Sequence, residues 1–183
     1  MADASSAITG KARAIEPPPT SLSPLYPDAD LLDAFAIVLP EEAGDDVEAL
    51  ARIACEQQAW WIRALTWTRD ALVAVAGVKS TRAIGASAAQ GRKIGFFPVL
   101  ATTPTDIVLG VDDRHLDFRA LIGVRVDGSG RRELFAVTTV HCHNRFGRLY
   151  LAAIAPFHRL IVKANMQRTV KTVRRSGTER VSV

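Results

Sequence analysis

The sequence predicts an α+β fold: a first strand, two short helices, a run of antiparallel strands and one long C-terminal helix. Three observations carry that reading. Phe146, Leu149, Tyr150, Ala153, Ile154, Phe157, Leu160, Ile161 and Ala164 follow the i, i+3, i+4, i+7 spacing of a helix with one buried face. Leu116, Phe118, Ala120, Ile122, Val124 and Val126 alternate with His115, Asp117, Arg119, Leu121, Gly123 and Arg125. Successive strand side chains point to opposite faces, so this is a strand covered on its even side. The connections between consecutive strands are short, which makes neighbours antiparallel.

Residues 1–27 hold Pro17, Pro18, Pro19, Pro24 and Pro27 among Ala, Ser and Thr. Prolines neither continue a helix nor donate to a sheet, so this is a disordered or extended arm. The second half of 28–40 is an apolar strand closed by Pro40. Asp45 or Asp46 then caps a helix over 47–58, with Leu50, Ile53 and Ala54 on one face. A second helix follows over about 60–75 and ends at Gly77. Its two stripes, Trp60–Ala64–Trp67–Ala71 and Trp61–Leu65–Leu72, mean burial over a wide arc.

Residues 77–91 are small, polar and glycine-rich, a loop whose glycines do not match a phosphate-binding spacing. Strands follow at 93–101, 105–111, 115–126 and 132–143, the last two joined through Asp127-Gly128-Ser129-Gly130. The long helix carries Pro156, which should kink it. Residues 28–171 are thus one domain, and 172–183 a basic flexible tail.

Composition bounds the function. A chain of 183 residues, 48% hydrophobic and 23% charged, is an ordinary single globular domain. Cys55 and Cys142 make no disulfide framework, and the N-terminus has no signal-like apolar run. The expected compartment is cytoplasmic. No run of about 18 apolar residues occurs, so no transmembrane segment is expected.

The charge is unevenly placed. Residues 145–183 hold nine Lys or Arg against Glu179, a net +8, while 1–144 hold 14 basic and 18 acidic residues, a net −4. The basic helix face is read as solvated and drawn to the acidic body, with an anionic surface as the alternative partner. No nucleic acid is expected, because aromatics do not interleave with the basic residues.

His115, Asp117, Arg119, His141 and His143 form the one constellation with metal-ligand character. A four-residue loop would pair Val126 with Arg131, setting Ile122 beside Phe135 and Leu116 beside His141. That register gathers the aromatics on one face. It sends His141 and His143 to the core side and Asp117 and Arg119 to the other, where they form a structural ion pair or a rim contact. They then share no metal, and neither metal nor cofactor is expected. A slip of one residue would reverse every side chain of the partner strand.

Asp113-Arg114-His115-Leu116-Asp117-Phe118-Arg119, then residues 140–151 and 154–161, resemble the bacterial domain-of-unknown-function family 2867. The resemblance covers about 28–170. The element order is similar to the helix-grip fold of the START-like (SRPBCC) superfamily, which implies a curved sheet wrapped around the last helix with a cavity between. It implies no reaction.

The preferred expectation is therefore a module binding a small hydrophobic molecule. Its walls would be Trp67, Phe96, Phe118, Phe135, Phe157 and Ile161, with His141 as polar anchor. The alternatives are a cyclase- or dehydratase-type enzyme using His141 as acid or base, and surface association through the basic helix and tail.

Overall fold

The computed structural model describes residues 10–56 and 91–181, with side chains to 177. The expected second helix at 60–75 and nearly all of the 77–91 loop lie outside the described residues.

Among the described residues seven strands form one curved antiparallel sheet in the order β1-β2-β7-β6-β5-β4-β3. They are β1 (Arg13–Ala14), β2 (Leu31–Val38), β3 (Lys93–Ile94), β4 (Phe97–Thr102), β5 (Asp106–Asp112), β6 (Leu116–Val126) and β7 (Arg132–Cys142). A helix α1 (Val47–Glu56) follows β2, and the long C-terminal helix α2 (Arg145–Val181) closes the chain. The family of folds is thus α+β as expected.

Asp46 caps α1: its Oδ1 accepts the N–H groups of Glu48 and Ala49 at 2.9 and 3.1 Å. Val47, Leu50, Ala51 and Ala54 bury the inner side of that helix. The single strand expected over 93–101 is broken in two. Gly95, at φ 60°, turns the chain so that Ile94 pairs with Phe97; a left-handed residue in a two-residue hairpin suits glycine.

The β6–β7 register differs by one residue from the preferred one. Val126 pairs with Arg132, Ile122 with Ala136, Phe118 with Val140 and Leu116 with Cys142. The cause is the turn. Gly130 N–H donates to Asp127 C=O at 3.0 Å, and Asp127 N–H donates to Arg131 C=O at 2.8 Å. Gly130 has φ 79°. This is a three-residue loop whose final glycine forms a bulge, and the bulge adds one residue to the connection. The Asp127 carboxylate fastens the turn, accepting from the Ser129 hydroxyl and from the Ser129 and Arg131 amides. Those bonds, the hydroxyl's first, hold its pKa far below the usual carboxylate range.

Each face of the sheet has its own cover. The inner face carries Phe35, Ile37, Ile107, Leu109, Ile122 and Leu134 against Leu50 and Ala51 of α1 and Met166, Val170 and Val173 of α2. The outer face carries Ala34, Ala36, Val108, Leu121, Phe135 and Val137. Residues 10–27, set apart as an arm in the sequence reading, cover that outer face. Ile15, Leu22 and Tyr26 pack on it, β1 pairs with β2, and the Tyr26 hydroxyl donates to Pro18 C=O at 3.0 Å. Arg13 reaches Glu133 at 2.6 Å, and that carboxylate is fully buried.

Helix α2 is 37 residues long, about 55 Å at 1.5 Å per residue. It continues through the segment read as a flexible tail. Its buried face is turned by about one residue from the expected stripe: Leu151, Met166, Thr169, Val170 and Val173 are buried, while Leu149, Phe157 and Leu160 are exposed. Two anchors set this rotation. Gly147 lies so close to the His115 carbonyl that a Cβ would collide with it. Arg148 and Arg159 reach Asp30 and Asp33, both at 3.1 Å, so part of the basic excess faces the acidic body.

Candidate functional site

A cavity of about 290 Å³ lies between the inner sheet face and α2. Its origin is readable in side-chain size. At the middle of β6 and β7 the inner face carries Ala120 opposite Thr138, then Ile122 opposite Ala136. Three of these four side chains are small, so the sheet is hollow there.

Large residues stand around the hollow. Phe97 stacks on Phe118 with ring centroids 5.3 Å apart, and Phe96 leans on Phe97 at 4.1 Å. Leu109, Leu134 and Val140 continue the wall from the strands. Tyr150, Ile154, His158, Ile161, Val162 and Asn165 form it from α2, and Ala54 and Cys55 from α1. Among the described lining residues Asp113 is the one carboxylate, and there is no Lys or Arg.

Of the seven expected site residues, three line the cavity: Phe96, Phe118 and Ile161. Trp67 lies outside the described residues. Phe135 does not line it. The hairpin bulge sends its ring to the outer face, where the ring sits against Gly123 and the Arg125 guanidinium lies 5.5 Å from its centroid. The same slip places His141 in solvent on the outer side, directly across from Asp117. Phe157 is 48% exposed, because the helix is turned away from the expected stripe.

The histidine constellation is rearranged as well. Asp117, His141 and His143 share the outer side, and His143 Nε2 lies 3.1 Å from Asp117. Arg119 pairs with Asp112 at 2.5 Å rather than with Asp117. His115 is buried; its Nδ1 lies 3.0 Å from the Asn144 amide and its ring 4.9 Å from Phe146. It fastens the start of α2, where the Asn144 Oδ1 accepts the Gly147 N–H at 2.9 Å. Among the described residues no three His, Cys, Asp or Glu side chains are placed to hold a metal ion.

The polar groups of the cavity are ones the sequence analysis did not choose. His158 and Asn165 line it from α2. His158 Nε2 and Asn165 Oδ1 are both shut off from water, with no hydrogen-bond partner among the described residues. Burial lowers the His158 pKa; Asp33 opposes the shift and Arg159 adds to it. The two are seven positions apart, and a residue seven along a helix returns to the same face. That spacing was visible in the sequence once the helix was placed in its true rotation.

Burial pushes the Cys55 thiol up to about 12, so this wall residue is a packed thiol rather than a nucleophile. Burial, with Asp30 beside it, also pushes Cys142 up to about 11. Both cysteines are unpaired.

No described helix is long and apolar enough to cross a membrane. A family model described as "Protein of unknown function (DUF2867)" matches residues 25–165. No curated protein and no solved structure matches the chain.

Proposed function

The chain belongs to the DUF2867 family of proteins of unknown function, and from that premise we propose that it is a START-like (SRPBCC) helix-grip module that binds a small hydrophobic molecule between sheet and C-terminal helix. The observation that carries the reading is the cavity itself. Its walls are apolar, its centre is hollowed by Ala120, Ala136 and Thr138, and its volume of about 290 Å³ sits near the lower end of roughly 300–1,000 Å³ for ligand pockets. The antiparallel strand order with a returning long helix supports the superfamily assignment.

A cyclase-type role for His141 has no support from a side chain on the opposite side of the sheet. The geometry favours binding, with His158 in place of His141 as the polar group beside the ligand.

The test is a thermal-shift and native mass spectrometry screen of lipids and aromatic compounds on the full chain. A ligand present at a hundred times its Kd adds about 2.7 kcal/mol, equivalent to roughly 5–10 °C for a chain of this size. Ala136→Leu, which fills the hollow, should abolish the shift and the bound mass. A screen with no shift, or a shift that Ala136→Leu leaves intact, would remove the proposal.

A further inference from the structure

We infer that the cavity takes an uncharged, mostly apolar molecule bearing a hydroxyl group, with His158 as the side chain that receives the hydroxyl. This rests on the binding reading above and names the ligand class for the same site.

Two polar atoms of the cavity wall have no partner among the described residues. They are His158 Nε2 and Asn165 Oδ1, both buried, and both residues line the same apolar cavity. A buried polar atom left unpaired is destabilising, so a leucine at either position would pack at lower cost. Ile161 and Val162 fill the same wall between them, which shows that aliphatic residues suit it. Two such atoms on one wall are accounted for by a bound group that completes them.

The chemistry of that group follows from what the two atoms can do. An amide oxygen only accepts; an imidazole nitrogen donates or accepts according to its tautomer. A hydroxyl donates and accepts, so it can satisfy either atom. The two positions are seven residues apart on α2, about 10 Å along the axis. A single hydroxyl therefore meets one of them, and a second polar group on an elongated ligand would meet the other.

Charge selects further. No Lys or Arg lines the cavity among the described residues, and Asp113 is the lining carboxylate. A carboxylate ligand would enter an apolar space without a permanent countercharge, which is costly. The hollow thus discriminates against fatty-acid-like anions and in favour of alcohols and phenols.

Three probes of one shape test this on the full chain at neutral pH: 2-naphthol, 2-methylnaphthalene and 2-naphthoate, titrated by fluorescence. The expected order is 2-naphthol about tenfold tighter than 2-methylnaphthalene, with 2-naphthoate weakest. His158→Leu should abolish the preference for the hydroxyl, bringing the 2-naphthol and 2-methylnaphthalene affinities together. The unliganded His158→Leu protein should also melt higher than the wild type, since it loses an unpaired buried nitrogen.

Equal affinity for 2-naphthol and 2-methylnaphthalene would overturn the hydroxyl inference and leave the binding reading standing. Tightest binding of 2-naphthoate would overturn the uncharged class. Retention of the preference in His158→Leu, or a lower melting point for that variant, would overturn the role given to His158. Failure of all three probes to bind would sink both proposals together.

Discussion

The two faces of the sheet come from the same alternating strands, yet one is filled and the other is hollow. On the outer face Phe135 lies over Gly123, and Ala34, Ala36, Val108, Leu121 and Val137 are closed by Leu22. On the inner face Phe118 is only half-buried, Ala120 and Ala136 leave a gap, and two polar atoms have no partner among the described residues. Protein interiors normally pack to crystal-like density. The outer face shows that this chain can do so. The inner gap is therefore a property of the residues chosen for that face rather than of the fold.

The largest expected difference between the faces comes from removing an aromatic ring. Phe135→Ala should cost about 3–5 kcal/mol in denaturant-measured stability, because it opens a cavity in a packed layer. Phe118→Ala should cost about 1–2 kcal/mol, since the ring already borders empty space. Equal costs would mean the inner face is as tightly packed as the outer.

Adding volume should separate the faces in sign. Ala36→Leu, at a fully buried outer position, should destabilise by about 1–3 kcal/mol through overpacking. Ala136→Leu should leave stability unchanged or raise it by about 0.5–2 kcal/mol by filling the hollow. The paired denaturation curves decide it, and a shared loss would dissolve the contrast.

The smallest effect is in pH. Burial lowers the His158 pKa from its ordinary 6.5, with Asp33 and Arg159 as the charged neighbours acting on it. The folded state then binds its proton less readily than the unfolded chain. Relative to acid pH, the folded state is favoured above about pH 6.5, and that margin is lost as pH falls through the lowered folded value. Denaturation midpoints taken between pH 7.5 and 5 should fall less steeply for His158→Leu than for the wild type. Parallel slopes would show that the imidazole is not held neutral by burial.

Much of the architecture was legible because it rests on periodicity. The even face of 116–126, the strand before Pro40, the Asp46 cap and the long helix all follow from local patterns. The site residues that moved trace to two glycines. Gly130 in the left-handed region lengthens the β6–β7 loop by one, and that single residue moved Phe135 and His141 to the other face. Gly147 seats α2 on the His115 carbonyl and turns Phe157 outward. Both positions were visible as letters, but their consequences depend on contacts across the sheet. The proline-rich start also misled: Leu22 and Tyr26 are ordinary in composition, and the face they cover could be known only after the register was correct.

Strand lengths at the two margins of the sheet bear on solubility in a way the cavity does not. Among the described residues the outermost strands, β1 and β3, have two residues each. Short margins offer few free amides for a foreign strand to join, which is how sheet proteins escape fibrous association. The family match begins at residue 25, beyond β1. A chain trimmed to that boundary would bare the eight-residue margin Leu31–Val38 together with the greasy layer beneath Leu22, and would present the surface from which ordered aggregates grow.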